Sequence, residues 1–400
     1  MTTVPLRHLA EINPATPEFD SLLPDADVLF LPLETVWSDG RADQSRRAPK
    51  SAVASGYSRF RGGDTVCPKV TPTFQAGRSM RADSVGAGTT ELHVLRPRPG
   101  VDPRWITYAV RSKHFLDEGV TAFQGVAGLQ RVPHEFVANF KVADIRFAEQ
   151  RRIADFLDDR VARIDQIITA RERQAELLTA HLRSAIATSL GQFPTVPMRY
   201  LAREILVGIV IQPSELYTNA EDGVPALRGL NVREGEVVNQ DLVRITSEGH
   251  LQNPRSRLQA GDVVVVRTGD AGSAAVVPQS CHDWNCIDLV IVRPNPGASA
   301  SFLELALNSA RHQATVAAAA SGAMQQHFGV NALAALAVPY PSSDADRVAS
   351  KLAGHRQEAA DRRAQLLQSI ALLADYKQSL VTAAVTGELD VTTAGSGIPT

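Results

Sequence analysis

EQRRIADFLDDRVARIDQIITARERQAELLTAHLRSAIATSLG, residues 149–191, decides how the chain is organised. Leu157, Ile164, Leu178 and Ala185 fall on a seven-residue repeat that Arg171 interrupts, and Val161, Ile168, Ala175 and Leu182 fill the intervening spacing. That is the pattern of a coiled-coil seam. The stretch holds no proline and no internal glycine, and it stops at Gly191 with Pro194 just beyond. One long helix is predicted, on the order of 60 Å at about 1.5 Å per residue, longer than a helix inside an ordinary core. Something must lie against it.

A partner exists in the same chain. Leu352, Ala359, Leu366, Leu373 and Leu380 repeat the seven-residue spacing in a second proline-free stretch that ends at Gly387. Each lies 195 residues beyond its counterpart among 157, 164, 171, 178 and 185, so the chain is an internal duplication. Arg356, Arg363 and Lys377 stand at positions of the second seam where apolar residues are expected.

Before the first helix the texture is one of short β-rich runs broken by Gly and Pro. The runs at 26–36, 56–72 and 90–97 read as strands, with Gly62-Gly63-Asp64 as a tight turn, and 102–120 has helical spacing. After the first helix the same order returns. VPALRGLNV at 224–232 corresponds to LFLPLETV, Gly261-Asp262 to Gly63-Asp64, and CIDLVIVRP at 286–294 to TTELHVLRP. Gly128-Leu129-Gln130 lines up with Ala323-Met324-Gln325.

The predicted fold class is α+β: two tandem α/β globules separated by two long helices that form an antiparallel coiled coil, with a pseudo-twofold repeat. The expected boundaries are 1–147, 148–193, 194–342 and 343–391, with 392–400 a disordered tail. Two similar heads on such a pair of helices suit two separated half-sites on duplex DNA.

Composition sets the remaining bounds. A formal charge of −2 leaves DNA affinity to the placement of basic residues and to basic partners. No apolar run of membrane-spanning length and no leader-like N-terminus occurs, so a cytoplasmic protein without membrane contact is expected. Cys67, Cys281 and Cys286 are too few for a disulfide framework. Cys281-His282 with Cys286 lacks a second ligand pair at zinc spacing, so no metal is expected. No phosphate-binding GxxxxGK[ST], no N-P-P-aromatic or D-P-P-aromatic methyltransferase tetrad and no HExxH is present; Asn253-Pro254 continues as Arg-Ser, and Asp375-Tyr376-Lys377 lies in the heptad helix. A chain without catalytic residues is expected.

EQRRIADFLDDRVARID at 149–165, ERQAELLTAHLRSAIATSLG at 172–191 and LLADYKQSLVTAAVTGELDV at 372–391 closely resemble the helical regions of specificity subunits of type I restriction–modification systems. GYSRFRGGDTVCPKVTPTFQAGRSM at 56–80 and AGDVVVVRTGDAG at 260–272 resemble core strands of that family's target-recognition domains. The likeness runs from about residue 25 to 391. It implies a non-catalytic subunit whose two domains each read half of a bipartite, asymmetric site in double-stranded DNA while the helices set the spacer. It also implies two methyltransferase (M) subunits and restriction (R) subunits as partners, with AdoMet, Mg and ATP belonging to them and no cofactor in this chain.

Residues suited to base edges or phosphates are Arg59, Arg61, Lys69, Thr71, Gln75, Arg78, Gln130 and Arg131 in the first head. In the second they are Arg228, Asn231, Arg267, Thr268, Ser273, Gln325, Gln326 and His327. Lys69 and Arg267 stand out because each follows the equivalent Gly-Asp turn and strand. Phe60 and Phe74 could stack on bases but read better as core. Two rival functions are a duplicated scaffold that binds only proteins and a fused nuclease or methylase.

Overall fold

The computed structural model describes residues 2–37, 41–125, 130–210, 213–309, 329–341 and 343–391. Two helices dominate it, Phe147–Leu190 and Ala345–Thr386, within a few residues of the predicted stretches. The second ends as expected, with Gly387 at φ +79° in the left-handed conformation that closes a helix.

The chain divides into two compact units, residues 1–173 with 366–400 and residues 174–365. Each takes in one head, the early part of one long helix and the late part of the other. The linear boundaries therefore differ from the spatial ones, because a helix pair is shared out by what packs against each end.

In the first unit the strands order as Ala10–Ile12, Leu92–Pro97, Thr65–Pro68 and Met80–Arg81, all antiparallel. A second sheet orders Arg47–Pro49, Asp27–Leu31, Gly86–Thr89 and Tyr57–Phe60, and its middle pair is parallel. Gly86 is required there: a β-carbon would lie 2.3 Å from the Leu29 carbonyl oxygen and 2.8 Å from the Phe60 ring. Thr3–Pro5 pairs with Lys141–Ala143, tying the start of the chain to the segment that feeds the first long helix.

The main core of this unit gathers Phe74, Trp105, Phe115 and Phe140 against Leu157, Val161 and Ile164 of the first helix and Leu373, Leu380 and Ala384 of the second. At roughly 1.5–3 kcal/mol for each large side chain removed from water, the helices are held to the head by hydrophobic burial. The segment 102–120 is not one helix. It divides into Pro103–Arg111 and Lys113–Thr121 at Ser112, which is extended (ψ 144°) and whose hydroxyl accepts from Phe115 N to cap the second piece.

The second unit repeats the plan. Its strands order as Ala202–Val207, Leu289–Pro294, Val263–Val266 and Ala274–Val276. Its other sheet again holds one parallel pair, Val224–Leu227 with Cys286, and Thr195–Pro197 pairs with Ala337–Pro339. Ile186, Leu190, Ala349 and Leu352 bring the helices into the core of this unit.

Seam expectations hold in part. Leu157 and Ile164 are fully buried and Ala175 nearly so, but Ala185 is exposed and Ile186, 7% exposed, takes the inward place. A straight helix turns in 3.6 residues, so a strict seven-residue count drifts off the face over several turns.

Two of the charges in the second seam, Arg356 and Lys377, have partners that lie far away in sequence. Arg356 donates to Glu304 Oε1 at 2.6 Å, and Glu304 is only 3% exposed. Asn308 Nδ2 donates to the same oxygen at 2.7 Å. Burial pushes the Glu304 carboxyl up in spite of the guanidinium beside it. A value raised on folding contributes stability fully below the unfolded carboxylate range, near about 4.3, and that contribution is lost as pH rises through the folded value. Glu304→Gln should therefore gain on the wild type in melting temperature as pH is raised from about 4 to 7. A difference that did not change with pH would contradict the raised carboxyl.

Candidate nucleic-acid interface

In each head the Gly-Asp turn builds the platform rather than the reading surface. Gly63 and Gly261 take φ +88° and +86°, and the following Asp folds its carboxylate back onto a backbone N–H: Arg61 N donates to Asp64 Oδ2 at 2.9 Å and Gln259 N to Asp262 Oδ2 at 2.8 Å. The buried arginine of the Arg-Pro strand ending meets the same carboxylate. Arg96 donates to Asp64 at 3.0 and 2.8 Å, and Arg293 to Asp262 at 3.4 Å. The two sequence echoes are thus the halves of one ion pair, at the start of the strand Thr65–Pro68 in one head and Val263–Val266 in the other.

The residue just after that strand is Lys69 in one head and Arg267 in the other. Lys69 Nζ donates to the Thr90 carbonyl at 2.8 Å, and its own N–H donates to the Glu91 carbonyl at 2.8 Å. Arg131 forks onto the Glu91 carboxylate at 2.8 and 2.7 Å, and the Gln130 carbonyl accepts from Thr71 N. Lys69, Thr71, Gln130 and Arg131 therefore converge on one patch. Burial pushes the Lys69 ammonium down, partly offset by Glu91, while Arg131 holds Glu91 below the usual carboxylate range.

The counterpart in the second head has a different donor set. Arg267 Nη1 donates to Asp288 Oδ1 at 2.8 Å and Thr268 Oγ1 to Asp288 Oδ2 at 3.0 Å. Glu91 and Asp288 were not among the expected residues. Their signal was present, since each opens the strand with the Arg-Pro ending, Glu-Leu in one head and Asp-Leu in the other. The first head offers two cations and a carboxylate, the second one cation, a hydroxyl and a carboxylate. Guanidinium and ammonium groups suit guanine O6/N7 or phosphate, and a carboxylate can accept from cytosine N4.

The other expected residues divide. Arg59 pairs with Asp20 and the Ala54 carbonyl and lies 5.0 Å over the Phe19 ring, while Arg61 pairs with Glu18, so both clamp the short helix Pro17–Asp20. Gln75 is exposed and Arg78 half-buried, and Arg228 donates to the Asp241 carbonyl at 2.8 Å. Asn231 and Ser273 are corrections. Asn231 is fully buried, accepting from Arg228 N and donating to the Val238 and Gln240 carbonyls; Ser273, 1% exposed, donates to Asp270. Their polar groups are used inside the head. Phe60 and Phe74 are buried and belong to the core. Gln325, Gln326 and His327 lie outside the described residues, as do Gly128-Leu129, Ala323-Met324 and the tail at 392–400.

Among the described residues no group of three or more His, Cys, Asp or Glu could hold a metal ion. The cysteines are buried, and burial pushes the Cys67 thiol up to about 12. No described helix is long and apolar enough to cross a membrane.

Over 97% of its length the chain superposes, with a TM-score of 0.76 and 16% identity, on 98% of a chain from a structure of complex assembly and conformational transition in the type I R-M system. It superposes with a TM-score of 0.54, again at 16% identity and with 97% of each chain covered, on the HsdS subunit of Thermoanaerobacter tengcongensis. The fold is shared with that HsdS subunit. Two curated Escherichia coli proteins are similar to this chain in sequence. The EcoEI type I restriction enzyme specificity subunit is 30% identical over 171 residues, 41% of this chain and 28% of that protein. The EcoAI specificity subunit is 30% identical over 193 residues, 46% and 31%. The match thus spans about three tenths of the length of those relatives. No family model matches it.

Proposed function

We propose that this chain is the DNA-sequence specificity subunit of a type I restriction–modification complex. Each head reads one half of a bipartite, asymmetric site in double-stranded DNA, and the long helices set the spacer and dock two methyltransferase subunits, to which restriction subunits add. The chain itself is non-catalytic and cytoplasmic, and AdoMet, Mg and ATP are held by its partners.

The observation that carries the reading is the cation-and-carboxylate cluster at the same strand end of both heads, built from different residues: Lys69, Arg131 and Glu91 in one, Arg267, Thr268 and Asp288 in the other. Equivalent placement with unlike chemistry is what two readers of unlike half-sites need.

Lys69→Ala and Arg267→Ala, each expressed with the partner subunits, test it by mapping adenine methylation. Each variant should lose about 1–3 kcal/mol of discrimination at positions in one half only. Relaxation of the same bases by both variants would contradict two independent heads, and an unchanged motif in both would favour the protein-only scaffold.

A further inference from the structure

Duplication gives each long helix two possible companions. One is the other helix of its own chain, and the second is the same helix of another copy. An apolar seam does not choose between them, because hydrocarbon packs on hydrocarbon in either arrangement.

Several seam positions differ between the repeats, and at one of them a charge pairs directly from helix to helix. In the first unit Lys377, its side chain 9% exposed, donates from Nζ to Asp165 Oδ1 at 2.6 Å, inside a seam otherwise made of Ile164, Leu373 and Leu380. Moving by the 195-residue repeat carries Asp165 to Ala360 and Lys377 to Leu182. Those two residues line one groove of the second unit, with Leu178, Ile186 and Ala359. The same rung is an ion pair in one unit and apolar in the other.

We infer that the Asp165–Lys377 pair selects the helix partner within the chain and excludes a second copy of the chain as that partner. Pairing like with like, at the same register, sets Asp165 opposite Leu182 in the first helix and Lys377 opposite Ala360 in the second. Each charge then loses its counter-charge. The pair is partly buried, the Asp165 side chain being 24% exposed, so a charge left there without its partner is costly, and a polar residue at a single seam position is an established way of fixing partner choice.

Full-length chains carrying two different tags, co-expressed, test the inference by capture of one copy through the other and by sedimentation. Two variants make the rungs alike. Asp165→Ala with Lys377→Leu copies the apolar rung into the first unit, and Leu182→Lys with Ala360→Asp copies the charged rung into the second, where Ala360 is exposed and tolerates the change. Both should raise capture of a second copy by about tenfold or more over wild type. Wild-type levels of capture from either variant, once its circular dichroism matches that of the wild type, would overturn the inference. So would equally strong capture by the wild type itself.

Discussion

Asp64→Ala is expected to destabilise the first unit by about 3–5 kcal/mol, a large share of the roughly 5–15 kcal/mol that holds a domain together. Arg96 is 8% exposed and uses Nε and Nη2 on the two oxygens of Asp64, with its other donors on the Ala15 carbonyl and Thr16 Oγ1. Without the carboxylate a buried guanidinium keeps its desolvation cost and loses its counter-charge. The turn loses its brace as well, since the same carboxylate accepts from Arg61 N.

Asp262→Ala should cost less. Arg293 approaches Asp262 only at 3.4 Å and directs its other nitrogens to Glu204, at 2.8 Å, and to the Arg257 carbonyl, at 2.7 Å. Burial pushes the Asp262 carboxyl up, so its charged form is only partly compensated by Arg293. Urea unfolding of both variants, followed by fluorescence, reads the order. An equal or larger loss in Asp262→Ala would contradict this assignment of the two pairs.

The second large effect concerns spacing. A heptad inserted between Gln174 and Ala175 keeps the seam in phase and lengthens the first helix by roughly 10 Å, on the order of three base pairs of B-DNA. It also turns one head about the duplex by roughly a quarter to a third of a turn. A matching heptad between Leu367 and Gln368 is needed to keep the helices paired. The double insertion should either recognise its half-sites across a longer gap or fold without binding DNA. A folded double-insertion protein that methylates sites with the original gap would exclude helices that set the spacer.

What sequence could show here followed from local chemistry. Long runs without proline, with Leu and Ile on one face, can only be long helices, and their recurrence with the Gly-Asp and Arg-Pro signatures exposed the duplication before any coordinates. What it missed depended on contacts between residues distant in sequence. Arg356 and Lys377 looked like flaws in a seam because Glu304 and Asp165, which neutralise them, are 52 and 212 residues away. Asn231 and Ser273 had the right chemistry for DNA, but their depth in the head is a property of the packed fold. Glu91 and Asp288 carry a signal of position but none of chemistry in the sequence alone, because an acidic residue does not suggest a DNA contact until the cation it braces lies beside it. Ser112 breaks a helix that spacing alone makes continuous, since the capping hydroxyl competes with the backbone for the same N–H.

The most direct test of a two-headed specificity subunit is to map methylated adenines across the host genome with and without this gene. The expected result is one asymmetric motif of two defined halves around a fixed gap, methylated when the gene is present and unmethylated when it is deleted. Methylation of every motif unchanged by the deletion, in a strain shown to express the chain, would contradict it.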